Sequence, residues 1–424
     1  MNVREELKKI YLDPIKENPQ SLIGIELEFP IVNLSGLKTD IRVSKGLFRY
    51  LEKEENYKVK KRDTDLCPIE LEDKGTGDLI LFEVAYSMIE FALAPTKEIS
   101  QSERNFLKHF KIIQDYLSIY DHAIQGKGIH PNWQDNKSQT VNTPRYLMLL
   151  DFLSLSVKEK VRSFHSYPHY GTFICGNQVQ LDVSKSNYLR VLNAFNKIEA
   201  AKAYLFANSY FQGENWDTKI SRDIFWEDSM HGYYEENVGL FDKDFEKEED
   251  FLALLEKTAI FTTSRHEKQI YFYPHQVKEF FNNKSIEGYD LNGVELTIMP
   301  TLDDLQQHRA YHYQSLTRRG TVEFRSVCAQ PLSDTFVPAA FHLGLLSNLE
   351  NLEKYLTTSF FFEKYGRNYK SLRRRFSKLD LTLDEEVDVK RFSKDLYEIG
   401  EKGLISRGFG EESYLKSLSA KIST

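Results

Sequence analysis

Along Gly24-Ile25-Glu26-Leu27-Glu28-Phe29-Pro30, apolar and acidic side chains alternate. A period of two predicts a strand, because successive side chains point to opposite faces. Ile25, Leu27 and Phe29 then share one face, and Glu26 and Glu28 the other. Carboxylates that close repel by roughly 1–4 kcal/mol at a surface-like dielectric. If the acidic face meets water, the pattern describes a solvated edge strand. If it lines a concave interior it calls for a cation, and Mg²⁺ is the usual oxygen-seeking one. Polar-faced strands recur further along. Residues 172–183 set Val179, Leu181 and Val183 against Gln178, Gln180 and Asp182, and residues 320–326 set Val322 and Phe324 against Glu323 and Arg325.

The segments between them read mostly as helices. Apolar positions at helical spacing predict helices over residues 2–12, 45–53, 98–122, 146–156, 187–206 and 251–258, with further helices over 336–356 and 389–418. Residues 74–78 read as a turn, 126–131 as a short strand or loop, and 242–250 as an acidic solvated stretch. Residues 79–94 are strongly apolar but interrupted by Glu83 and Glu90. On one unbroken strand these two glutamates face opposite sides. A break near Tyr86-Ser87, giving two short strands, brings them to the same side, and so does a helix at i and i+7. The β-branched and aromatic content and the closing Pro95 favour strands.

Composition narrows the function classes. The 424 residues are 41% hydrophobic and 13% aromatic, enough for a large core and inconsistent with global disorder. The net charge of −7 argues against a general nucleic-acid binder. Cys67, Cys175 and Cys328 are too scattered for a disulfide framework or a thiolate zinc site, and read as reduced, buried residues. The charged N-terminus lacks an apolar signal core, and no stretch reaches the roughly 20 apolar residues of a membrane span. The expectation is a cytoplasmic protein with small-molecule partners and neither nucleic acid nor membrane among them. With no linker and no internal repeat, residues 1–424 read as one catalytic domain whose part from about 336 to 424 is helical.

Glu26, Glu28, Glu83, Glu90 and Glu323 supply carboxylates, Gln178 and Gln180 neutral amides, and Arg222, Arg319 and Arg325 fixed cations. A sheet curved into a funnel aims such a set at one cavity while its apolar face packs on helices. The inventory suits Mg²⁺–nucleotide chemistry, in which carboxylates hold metal, metal neutralises phosphate oxygens, and arginines stabilise a phosphoryl group or clamp a carboxylate. No P-loop or protein-kinase motif set is present.

The ordered stretches Gly24–Phe29, Met88-Ile89-Glu90-Phe91-Ala92-Leu93-Ala94-Pro95, Gln178-Val179-Gln180-Leu181-Asp182 and Leu205-Phe206-Ala207-Asn208-Ser209 resemble the glutamate–cysteine ligase superfamily. So do Ser221-Arg222-Asp223-Ile224-Phe225-Trp226, Arg319-Gly320-Thr321-Val322-Glu323-Phe324-Arg325-Ser326 and Ala329-Gln330-Pro331. The resemblance implies an α+β, glutamine-synthetase-like fold: a curved antiparallel sheet forming a funnel surrounded by helices. It implies ATP-dependent phosphorylation of the γ-carboxylate of glutamate and capture of the acyl phosphate by the amine of cysteine. By the same resemblance Glu26, Glu28, Glu83, Glu90 and Glu323 are ligands of two or three Mg²⁺ ions. Arg222 and Arg325 lie near phosphates and substrate, and Gln178, Gln180, Arg145 and Arg319 are candidate substrate or nucleotide contacts.

The chain departs from the family pattern near substrate-facing regions. An E-P-G-G-Q motif is replaced by residues 79–90, an F-P-x-V-R segment by residues 310–316, and Thr321 stands where an aromatic is common. A related ligase using another amine or acid is therefore an alternative, as is an inactive nucleotide-binding homologue serving as sensor or scaffold. Simpler roles compete at single residues. Glu323 and Arg325 form a same-face ion pair on this pattern, Arg222 can lie over Trp226, and Arg145 can be a surface residue. His130, His165, His169, His308 and His312 lack metal-ligand spacing and read as surface or core histidines. Arg373-Arg374-Arg375 reads as a solvated helix face, with a nucleotide-tail contact as the other possibility.

Overall fold

The alternation around Glu26 forms an 11-residue strand, Ile23–Asn33 (β1), in a computed structural model that describes residues 2–160, 162–266 and 268–423. Tyr57–Arg62 (β2), Pro68–Asp73 (β3), Leu79–Phe82 (β4), Met88–Thr96 (β5), His122–Ile124 (β6) and Asn177–Asp182 (β7) follow. Further along come Val238–Gly239 (β8), Ala259–Arg265 (β9), Lys268–Gln276 (β10), Ile286–Asp290 (β11), Glu295–Ile298 (β12), Tyr311–His312 (β13), Gln314–Leu316 (β14) and Thr321–Phe324 (β15). Nine of these make the main sheet, in the order β14-β15-β7-β1-β5-β4-β3-β2, with β6 paired to the far end of β1. Every pairing within it is antiparallel. The expected α+β architecture built on a large antiparallel sheet is borne out.

Burial follows the alternation. Ile23, Ile25, Leu27, Phe29 and Ile31 of β1 are all but inaccessible, as are Val179 and Leu181 of β7 and Val322 and Phe324 of β15. This apolar face packs on helices Ile99–Ser118 and Val337–Ser347. The join is aromatic: the Phe91 ring lies 5.1 Å from Phe106, which lies 5.7 Å from Phe336, both edge to face. With one face committed to the core, the register cannot slip by a residue without burying the glutamates.

Three expected helices are divided or displaced, for local reasons. The helix expected over 336–356 breaks at Asn348 (φ −126°, ψ 37°), whose side-chain amide donates to the Ile399 carbonyl. The helix expected over 187–206 breaks at Ile198, just after Asn196 clasps the Phe241 backbone through both amide atoms. The last long helix runs over Leu383–Arg407 instead of 389–418. A capping box between Thr382 and Glu385 opens it, and Gly408 closes it in the left-handed region at φ 77°. A four-stranded sheet, β12-β11-β10-β9, occupies a stretch that the sequence pattern left unassigned. Among the described residues no helix is long and apolar enough to cross a membrane.

Helix Val337–Ser347 crosses Leu383–Arg407 at glycines. A methyl on Gly403 would come within 2.0 Å of the Gly344 carbonyl oxygen, and one on Gly344 within 2.4 Å of the Gly400 oxygen. Gly403→Ala is therefore expected to destabilise the protein by about 1–3 kcal/mol through overpacking, read by urea unfolding. An unchanged midpoint would mean that the two helices separate at no cost.

Candidate active site

The main sheet's polar face gathers the acidic residues. Antiparallel register sets Glu28 opposite Glu90, Glu26 opposite Gln178, and Glu323 opposite Gln180. Glu83 arrives from the β4–β5 turn, where Val84 takes φ 60° and the Glu83 carbonyl accepts from the Ala85 N–H. Of the two arrangements that align Glu83 with Glu90, the structure has the broken strand.

Glu26, Glu28, Glu83, Glu90 and Glu323 all line one cavity of about 990 Å³, together with Gln178, Arg145, Arg319 and Arg325. Gln180 sits in the wall between two of the acids. Its amide nitrogen donates to Glu26 Oε1 (2.9 Å) and Glu323 Oε1 (2.8 Å), and its oxygen accepts from Arg319 (2.6 Å). Gln178 donates to Glu28 Oε1 at 2.9 Å. Neutral amides on β7 thus separate carboxylates that would otherwise touch. Arg222 lies behind them and lines an adjoining cavity of about 120 Å³, which shares Glu28, Glu83, Gln178 and Arg325 with the larger one. It occupies the space that a side chain on Gly176 would need, so a larger residue there would have to displace its guanidinium. Its Nη1 donates to the Val327 carbonyl, and its buried Nε has no hydrogen-bond partner among the described residues.

Crowding out of water shifts the acids toward the protonated form. Burial, reinforced by Glu323, pushes Glu26 up to about 7. Burial and the neighbouring Glu83 hold Glu90 well above the ordinary carboxyl range. Glu83 is raised by burial and by Glu28, with Arg145 and the Tyr146 hydroxyl (2.9 Å) acting against the shift. Glu323 does pair with Arg325, as the same-face reading expects, but inside the cavity wall. Arg145 is exposed at the rim, its guanidinium 5.9 Å from the Tyr146 ring centre.

Sequence reasoning missed several lining residues. Arg309 and Arg318 add positive charge at the mouth, and Tyr146, Trp226, His231 and Tyr311 add aromatic wall. Arg309 directly precedes the segment 310–316 that departs from the family pattern and Arg318 follows it by two residues, and that proximity was the signal available. One reading is overturned. Arg373 is not on a solvated face but 1% exposed, bonded to Asp223 and Glu199, because its neighbours carry the compensating charges. Arg374 reaches Glu227, and Arg375 pairs with Glu385 and Asp380. His130 and His308 are satisfied core histidines, bonded to Ile31 and Thr258 respectively. Cys67, Cys175 and Cys328 are buried free thiols.

Among the described residues no three His, Cys, Asp or Glu side chains are drawn together tightly enough to form a finished shell around one ion. The acids are spread along the sheet face and occupied by Gln178, Gln180, Tyr146 and the Gly176 N–H (2.5 Å to Glu28). As a donor set they nonetheless suit a hard divalent cation. They are all oxygen, they repel one another, and three of them are pushed toward protonation by burial and by the neighbouring carboxylates.

A family model described as glutamate–cysteine ligase family 2 matches residues 22–360. The chain is 22% identical over 340 residues to a chloroplastic glutamate–cysteine ligase of Solanum lycopersicum, covering 79% of this chain and 61% of that one. It therefore spans about three-fifths of the length of the curated relative it matches. Solved structures that align with it include a bifunctional glutathione synthetase from Pasteurella multocida (12% identity, TM-score 0.44, 99% of this chain and 49% of that one). A glutamate–cysteine ligase from Francisella tularensis in complex with AMP aligns with 12% identity and TM-score 0.40, over 96% of this chain and 82% of that one.

The raised acids make stability pH-dependent. Glu26 titrates near 7 when folded and near its ordinary 4.5 when unfolded. Between those values the native state holds a proton that the unfolded state has lost, so stability of the metal-free protein falls as pH rises through the window. Glu26→Gln is expected to melt higher than the parent at about pH 8, with the gap closing by about pH 5, in calorimetric scans with chelator present. A parent whose melting point rises between those pH values would contradict this.

Proposed function

The chain belongs to the glutamate–cysteine ligase family 2, and from that membership we propose that it is an ATP-dependent, ADP-forming carboxylate–amine ligase. The reaction we assign joins glutamate to cysteine through γ-glutamyl phosphate. The observation that carries the reading is the convergence of five glutamates, from β1, the β4–β5 hairpin and β15, on one cavity that Arg145, Arg309, Arg318, Arg319 and Arg325 also line. A scaffold or sensor would have no use for that crowding, which costs folding energy without bound cations. We further propose that residues 1–424 act as one catalytic unit, with the helical part from about 336 buttressing the sheet.

In this scheme Glu26, Glu28, Glu83, Glu90 and Glu323 would hold two or three Mg²⁺ ions. When bound, the metal supplies charge neutralisation for the nucleotide's phosphate oxygens. The γ-carboxylate oxygen of glutamate attacks the terminal phosphorus of ATP, and ADP leaves. The amine nitrogen then attacks the acyl carbon, inorganic phosphate leaves with the carboxylate oxygen, and the nitrogen gives up its proton. Arg325, fixed by Glu323, and Arg222, with an uncommitted Nε, are set to meet negative charge as the phosphoryl group moves. Arg319 and Arg145 at the rim suit the carboxylates or phosphates of the entering substrates. Gln178 and Gln180 orient the acids.

A second reading, the same chemistry with another amine, draws on the adjoining cavity of about 120 Å³. Its walls include Tyr170, Trp226, Tyr311 and Tyr313, so a side chain larger or more apolar than that of cysteine has room there.

The test is ADP release from Mg-ATP and L-glutamate, with and without a panel of amines. Release that rises with cysteine supports the assigned reaction, and release that rises only with another amine supports the second reading. No turnover with any acid–amine pair would overturn both. Glu26→Gln is expected to lower ADP formation at least about 100-fold, because it removes a carboxylate that would hold the metal. Full activity in that variant would remove Glu26 from the site.

A further inference from the structure

We propose that Arg373 is a positioning residue that fixes the spacing of Arg222 and Arg325, a role that rests on the ligase reading above. It lies in helix Tyr369–Phe376, beyond the last residue matched by the family model. Its guanidinium uses every N–H it has. Nε and one Nη2 proton form a fork on Asp223 (2.7 and 2.9 Å), and the other Nη2 proton goes to the Ser326 carbonyl (3.1 Å). Nη1 donates to the carboxylate (2.5 Å) and the carbonyl (3.3 Å) of Glu199. The face of the group lies 4.5 Å from the Tyr313 ring centre.

These partners explain the choice of anchor. Asp223 directly follows Arg222, and Ser326 directly follows Arg325. Tyr313 in turn accepts the Arg325 backbone N–H at 2.8 Å. One rigid, planar cation therefore ties helix Ser221–Glu227, which carries Arg222, to the segment just after β15, which carries Arg325. Both cavity arginines are held through their chain neighbours, with Asp223, Tyr313 and Ser326 forming part of the smaller cavity's wall.

The charges balance without drawing on the cavity. Lys202 donates to Glu199 at 2.6 Å, so two buried cations meet two buried anions. Lysine at position 373 keeps the charge but has three donors on a flexible stem and no planar fork, so it cannot hold both strings of contacts at once.

The experiment compares Arg373→Lys with the parent and with Arg375→Met, a change on the same helix whose ion pairs point away to Glu385 and Asp380. Melting temperature, ADP-release kinetics and calorimetric binding of tripolyphosphate are measured well below the melting point. At that temperature Arg373→Lys is expected to lose about 10- to 100-fold in kcat, with KM for glutamate changing far less and tripolyphosphate binding weakening about tenfold. Arg375→Met is expected to lose stability alone. Asp223→Asn breaks the same fork from the other side and serves if Arg373→Lys does not fold. Retention of kcat and tripolyphosphate affinity within about twofold in a folded variant would overturn the proposal, given what a small misplacement costs. Failure of both variants to fold would make the network purely structural and overturn it too. If the parent itself releases no ADP, the ligase reading fails, while tripolyphosphate affinity still decides the positioning role.

Discussion

Like charges held close together out of water are the constraint around which this protein is arranged. Glu28 and Glu90 stand opposite each other across two strands, with Glu26 two residues along and Glu83 at the turn. Nothing in the apolar core asks for this, since the opposite face of the same strands would pack as well over neutral residues. The arrangement has a cost that appears in the shifted titration of Glu26, Glu83 and Glu90. A fold keeps such a cost where function depends on it.

The surrounding structure manages the crowding in three ways. Neutral amides from β7 lie between the acids and satisfy one oxygen of each of Glu26, Glu28 and Glu323. Arg325 offsets Glu323 directly, while Arg319 acts through Gln180. Behind the wall a separate, self-balanced set of charges centred on Arg373 anchors the elements that carry the cavity arginines. The cavity thus carries acids and arginines side by side, the mixed lining that a metal-bound triphosphate requires.

Period-two alternation made the sheet legible, because β1, β7 and β15 each bury one face completely. The same alternation placed Glu26, Glu28, Gln178, Gln180 and Glu323 on one side, and a break in the pattern at Tyr86-Ser87 brought in Glu83 with Glu90. Four kinds of fact were not local enough to read. Helix breaks at Ile198 and Asn348 depend on side-chain amides that bind distant backbone. Strands β9 to β12 lack a clean alternation, since their residues face aromatic neighbours such as Phe152 on another element. Arg309 and Arg318 become cavity residues only through the path of their loop. Arg373 looks like one of three solvated arginines until Asp223 and Glu199 are seen to enclose it.

The central claim is that a divalent cation belongs where the acids meet, and proton release on metal binding reads it most directly. Mg²⁺ is titrated into metal-free, nucleotide-free protein near about pH 6.5, with the heat measured in buffers of different ionisation enthalpy to count protons. There Glu26, pushed up to about 7 by burial, is largely protonated, so displacement by the cation should release about one proton per protein molecule. Saturable Mg²⁺ binding with no proton release would place the ion elsewhere and contradict the account.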